Sequence, residues 1–162
     1  MEENFIIYNE EYVLIKNILD ELKKNTKAEI VFISDSEGHC IASTGDMEDS
    51  YLNSISSLIA GSMAAVNCIA EMLEVDKFPS VLTESANKSL HVSMIDDRTM
   101  LIVIFDNTSN LGLVRFRVKT AAKELKDVFI IIKEKLKSDI FKDEGSPFEG
   151  VSDEDIDEIF GD

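Results

Sequence analysis

The chain has 162 residues, enough for one compact domain with an appendage and too few for two full domains. Its 32 acids against 16 bases give a formal net charge of −16, and the 24 residues from Asp139 carry ten acids and one base, Lys142. Phosphate backbones and anionic headgroups repel such a chain, which argues against charge-driven nucleic-acid or membrane binding and favours a protein partner.

The opening MEENFIIYNEEYV has acids where a secretory leader has bases, and no apolar run approaches the ~20 residues that span a bilayer. The expected location is the cytoplasm, without membrane insertion. Cys40 and Cys68 are expected as free thiols, since a chain of this size needs no disulfide to hold its core.

From Glu10 to Asn25, Tyr12, Ile15, Leu19 and Leu22 share one face, predicting a first amphipathic helix with Asn9 as its cap. Residues 28–33 and 39–43 are apolar segments around a turn in which Gly38 supplies positive φ, so they predict a hairpin. A long helix follows from about Glu48 to Leu73, broken by Phe78-Pro79, and Val81 to Ser85 predicts a strand. Leu90, Val92 and Met94 then alternate with His91 and Ser93. Asp96-Asp97-Arg98 turns the chain, and Met100 to Phe105 runs apolar like a buried strand. Beyond the polar DNTSN connector, Leu111, Val114, Val118, Ala121, Leu125, Val128 and Ile132 recur at helical spacing. The fold class is therefore α+β, with order α-β-β-α-β-β-β-α and a five-stranded antiparallel sheet. At Ser138 the composition turns acidic, so residues 1–137 are expected to form the domain and 138–162 a flexible tail.

The central helix has two apolar sides. Leu52, Ile55, Ile59, Met63, Val66, Ala70 and Leu73 form the stripe expected to bury on the sheet. The opposite side carries Ser54, Leu58, Gly61, Ala65, Cys68 and Met72 beside Ala60 and Ala64, and no charged residue occurs between Tyr51 and Ala70. A surface helix that meets water shows charges, so something covers this side. Small residues four apart permit close helix approach, which assigns Ser54, Leu58, Gly61, Ala65 and Met72 to a dimer or partner contact.

The order of elements, with VFISDSEGHCIASTGD, SSLIAGSMAAVNCIAEML, LHVSMIDDRTMLIVIFD and LGLVRFRVK, resembles the roadblock/dynein light-chain family and its MglB branch of bacterial GTPase regulators over about Ala28 to Leu136. The resemblance implies a roadblock-type, profilin-like sheet and a homodimer with central helices side by side. It also implies a partner, a small Ras-like GTPase of the MglA type, whose GTP hydrolysis the dimer stimulates in cell polarity or motility. Carried over residue by residue, it places Asn53, Ser57, Ala60, Gly61, Ala64, Ala65, Asn67 and Cys68 at the partner platform. Such an activator needs no catalytic residue or cofactor of its own, because phosphoryl transfer is accelerated mainly by positioning and electrostatics. A non-activating scaffold is the alternative; a small-molecule sensor on a similar sheet is disfavoured, since no convergent polar set marks a pocket.

Three further features bear on function. Arg98, Arg115 and Arg117 are the three arginines, and Arg98 alone lies in a turn as a candidate trans finger; it reads more simply as a solvated turn residue. His39, Cys40, Cys68 and His91 are zinc-ligand types, but no C-x-x-C or H-x-x-x-H spacing joins them, and no P-loop or G-x-S-x-G motif is present, so no metal site or catalytic centre is expected. In the tail, residues 151–160 are organised: Ser152 can cap a short helix with Val151 and Ile156 as staple, and Ile156, Ile159 and Phe160 form an apolar edge. This segment is expected to dock on the GTPase or another partner.

Overall fold

The structure, a computed structural model, describes residues 8–143. Its elements are α1 (Asn9–Thr26), β1 (Ile30–Asp35), β2 (Cys40–Gly45), α2 (Asp49–Met72), β3 (Ser80–Glu84), β4 (Lys88–Met94), β5 (Thr99–Asp106) and α3 (Leu111–Asp143). The five strands form one antiparallel sheet in the order β2-β1-β5-β4-β3. Two hairpins thus come together through β1 and β5, with Ile30 opposite Ile104 and Asp35 opposite Thr99.

Both sheet faces are covered. Val31, Ile33, Leu101, Val103 and Phe105 meet α1 and α3, and Ile30, Phe32, Met100 and Ile102 meet α2. Strands buried on both faces read as continuous apolar runs, as IVFI and MLIVIF do. For the same reason the polar half of the alternation in β4 does not face water: His91 and Ser93 are buried on the α3 side. The His91 imidazole is held below its usual pKa by burial and by the nearby Arg115 guanidinium, and its Nδ1 has no hydrogen-bond partner among the described residues.

Helix α1 buries Ile15, Leu19 and Leu22 as expected, whereas Tyr12 is exposed, and the adjoining inward position belongs to Glu11. Lys135 of α3 donates a hydrogen bond to Glu11, which holds this carboxyl below its ordinary range against the opposing effect of burial. The Tyr8 hydroxyl donates to Asp139 nearby. The N-cap is Tyr8, not Asn9, and no side chain caps it; Asn9 is the first helical residue. Helix α3 continues to Asp143, past the change in composition at Ser138, because Lys135 and Asp139 hold that stretch against the start of α1.

The connections are set by local chemistry. Gly38 has φ +93° in the β1–β2 turn, and Gly45, at φ +118°, lies so close to β1 that a Cβ would sit 2.5 Å from the Glu29 carbonyl oxygen. The Asp96 carboxylate accepts the Arg98 and Thr99 amides at 2.8 Å each and closes the β4–β5 turn.

Candidate protein-binding face

Among the described residues, helix α2 lies alone on its side of the sheet. Leu52, Ser56, Ile59, Met63 and Ala70 face the sheet, Ile55 and Val66 are half-buried, and Leu73, the C-cap residue, is exposed. The remaining surface divides into two flanks that the sequence does not separate.

One flank, toward the first hairpin, carries Asn53, Ser57, Ala60, Ala64 and Asn67. The Asn53 side-chain oxygen accepts the Cys40 amide at 3.4 Å, and the Ser57 hydroxyl lies 3.0 Å from the Asn53 carbonyl and 3.4 Å from that of Gly38. A Cβ on Gly38 would sit 2.6 Å from the Ser57 Cα, so the absence of a side chain there is what lets the turn lie on the helix. Asn53 and Ser57 therefore serve first to hold hairpin and helix together. Ala64 is exposed and Ala60 half-buried; Asn67 is half-buried and lines a cavity of about 370 Å³ with Lys77, Phe78, Pro79, Met94 and Lys126.

The outermost ridge is formed by Ser54, Gly61 and Cys68, all exposed, with the Ser54 hydroxyl bonded to the Ser50 carbonyl at 2.9 Å. Beyond it runs the second flank, where Leu58 is 74% and Met72 85% exposed and Ala65 is open to solvent. Tyr51 and Ile69 extend it, although sequence reasoning did not single them out. With Ile55 and Ser62 they complete the series 51, 55, 58, 62, 65, 69, 72, whose steps of four and three are the spacing of a coiled-coil seam. Ser62 and Ala65 at its centre do not read as hydrophobic, which is why the seam escapes a search for apolar residues.

The sheet beside this flank is also incompletely covered. Helix α2 approaches β1 and β2 most closely, leaving Val81, Leu90, Met94 and Ile104 half-buried on the same sheet face toward β3. Strand β3 is the edge of the sheet on this side, with Ser80, Thr83 and Glu84 exposed. The helix is also long and apolar enough, by length and composition, to cross a membrane, contrary to the sequence expectation; in the fold its apolar stripe packs on the sheet.

Chemical groups elsewhere on this side are ordinary. Burial and the nearby Asp49 raise the Cys40 thiol pKa, opposite to an activated nucleophile. Of the zinc-ligand residue types noted in the sequence, the structure joins one to carboxylates: His39 Nδ1 lies 3.0 Å from Asp35 and 4.0 Å from Glu37 in the β1–β2 turn. The ligand atoms of the three lie within 4.8 Å of one another. The D-x-E-x-H alternation is the signal for this cluster, and spacing rules for cysteine and histidine pairs pass over it. Asp35 already accepts the Glu37 and His39 amides, at 3.0 and 2.8 Å, so turn formation accounts for its place. The sequence-predicted docking residues Val151, Ile156, Ile159 and Phe160 lie outside the described residues.

Among the described residues, two helices lie on one face of the five-stranded antiparallel sheet and one helix, uncharged from Tyr51 to Ala70, lies on the other, the architecture of the roadblock class of regulatory and scaffolding modules. The Roadblock/LC7 domain matches residues 14–105, and the chain belongs to that family. No curated protein matches the chain. Among solved structures, Myxococcus xanthus MglB is 37% identical, with a TM-score of 0.73, and the match covers 78% of this chain and 96% of that one. An MglB described with a tetrameric arrangement is 23% identical with a TM-score of 0.76, covering 82% and 99%. Gliding protein MglB from Thermus thermophilus is 24% identical with a TM-score of 0.73, covering 79% and 97%. The latter two bear on the fold alone. The chain is thus a roadblock protein similar to MglB.

Proposed function

We propose that the protein is a homodimeric activator of a small Ras-like GTPase of the MglA type, acting in cell polarity or motility. The observation that carries the proposal is the twenty-residue uncharged run of α2, exposed on two flanks in a chain that is 30% charged as a whole.

The seam fits an antiparallel pairing of two α2 helices about a two-fold axis near Gly61 and Ser62. Leu58 of one copy then meets Ala65 of the other, and Tyr51 meets Met72, as a self-complementary interface requires. Small residues at the crossing allow close approach, and the second copy covers the sheet surface near Val81 and Leu90. The ridge and the hairpin-side flank, with Asn53, Ser57, Ala60, Gly61, Ala64, Ala65, Asn67 and Cys68, then form a shared platform on which the switch regions of a GTPase are positioned. Similarity to Myxococcus xanthus MglB over most of both chains supports this reading. The activator supplies geometry, not a catalytic group. Arg98 belongs to the second hairpin turn, where its backbone carbonyl accepts the Ser36 amide at 2.8 Å; in this reading its side chain is not a finger, and Arg98→Ala tests that. In this reading Val151, Ile156, Ile159 and Phe160 dock on the GTPase.

The test is single-turnover GTP hydrolysis by a small GTPase encoded beside this protein, with and without the full chain. Stimulation by wild type and by Arg98→Ala, lost in a folded but monomeric Ala65→Arg variant, is the expected pattern. Binding without stimulation favours the scaffold. Full stimulation by monomeric Ala65→Arg refutes the dimeric platform, and deletion of residues 151–162 without loss of affinity or turnover removes the tail from it.

A further inference from the structure

The charge on α3 is segregated in a way that the proposed function does not use. Arg115, Lys119, Lys123, Lys126, Lys133 and Lys137 recur at spacings that place them along one flank of the helix, away from its buried face at Val118, Leu125 and Ile132. Phe116, Ile130 and Phe141, each 45–64% exposed, interleave with them. The acids of the helix lie elsewhere or at the border: Glu124 lines a cleft against α1, Asp139 accepts a hydrogen bond from Tyr8, Asp143 ends the helix, and Asp127 and Glu134 flank the stripe. Lys133 pairs with Asp96 at 3.3 Å; the other five bases make no ion pair with a described residue. In a protein of net charge −16, six of the 16 bases thus lie along one helix flank beside exposed apolar groups.

We infer that this stripe is the resting place of the chain's own C-terminal segment. Residues 144–162 contain eight acids and no base, with Phe148, Val151, Ile156, Ile159 and Phe160 among them, so both the charge and the apolar content of the stripe are matched. The lengths agree as well. Seven residues from Glu144 to Gly150 reach about 24 Å when extended, which covers α3 back from Asp143 to about Asp127 at ~1.5 Å per residue. The block Asp153–Glu158 then falls over Lys119 to Lys126, and Ile159 and Phe160 over Phe116. Docking neutralises two surfaces that would each repel their own kind, and at physiological salt, with a Debye length of about 8 Å, it depends on direct contact and not on long-range attraction. The inference concerns the free protein and stands whether or not a GTPase binds α2.

Zero-length carbodiimide cross-linking of the full chain, mapped by mass spectrometry, tests it. The expected links join Asp153–Glu158 to Lys119, Lys123 and Lys126, within one chain in a mixture of isotopically light and heavy protein, and fall several-fold in about 0.5 M salt. Amide exchange over residues 151–160 should quicken several-fold in the variant Lys119→Glu, Lys123→Glu, Lys126→Glu, whose substitutions are all on exposed side chains. Links spread evenly over Lys16, Lys24 and Lys77, exclusively interchain links, or unchanged exchange in the variant would overturn the inference. So would binding of the full chain to anionic vesicles through these lysines, which would assign the stripe to a lipid surface.

Discussion

Leu58→Ala is the most direct probe of the α2 seam. The side chain is 74% exposed in the single chain and lies outside the packed core beneath α2, so its loss costs the monomer no more than about 0.6 kcal/mol. In the paired helices it is buried against Ala65 of the second copy. The substitution removes three carbons, each contributing about 0.8 kcal/mol when buried, or roughly 1.8 kcal/mol after allowing for the fraction that the monomer leaves exposed. Two-fold symmetry repeats the loss, giving roughly 3–4 kcal/mol and a rise in dimer dissociation constant of several hundred-fold. Sedimentation velocity over a dilution series measures it directly, with urea unfolding of the dilute, monomeric protein as control. A dissociation constant within about threefold of wild type would refute the seam, even if the protein remained dimeric through another surface.

Gly38→Ala should cost roughly 2–5 kcal/mol in urea unfolding, from about 1–2 kcal/mol for a left-handed φ and about 1–3 kcal/mol for forcing the turn off Ser57. A loss below about 1 kcal/mol would show that hairpin and helix are not wedged together. Burial and Arg115 keep the His91 pKa low in the folded protein, so the unfolded chain takes up this proton first as pH falls. Stability carried by neutral His91 is present above about pH 6.5 and declines below it toward the folded pKa, by at most about 1.4 kcal/mol per pH unit. Thermal melts between pH 7.5 and 5 should show that slope flatten in His91→Leu, and an unchanged slope would assign the acid sensitivity elsewhere. For Asp96, burial raises the pKa, but hydrogen bonds from the Arg98 amide, Thr99 and Lys133 outweigh it and leave the pKa below the ordinary value near 3.8. The turn's contribution is therefore present above that value and lost below it. Replacing Asp96 with Asn should remove an acid-side loss there and leave the His91 slope untouched.

Element types and order were legible because the apolar period changes cleanly from 3.6 to 2 and back, most plainly where Met100–Phe105 gives way to Leu111–Ile132. The pairing of β1 with β5 was not, since residues so distant in sequence leave no local trace of contact. Nor was the burial of His91 and Ser93, because alternation reports polarity and cannot show that a helix covers the polar side. Helix α3 outran its expected end because Lys135 and Asp139 are held by Glu11 and Tyr8, at the opposite end of the chain. On α2, the lack of charge from Tyr51 to Ala70 pointed to an exposed face without a solvent-adapted surface. Its division into two flanks needed the sheet, which fixes Asn53 and Ser57 toward the Gly38 turn and thereby turns Leu58 and Met72 the other way.

The pairing of Ile30 with Ile104 also constrains how the protein is made. At roughly 5–20 residues per second, a ribosome needs on the order of 4–15 s to pass from one to the other. In the later part of that interval Val31, Phe32 and Ile33 have left the exit tunnel with one neighbour strand in place of two. The nascent chain therefore carries an open, strongly apolar strand edge until translation reaches the second hairpin. A synonymous change that stalls synthesis between codons 73 and 99 would lengthen that exposure and lower soluble yield without altering a single residue of the finished protein.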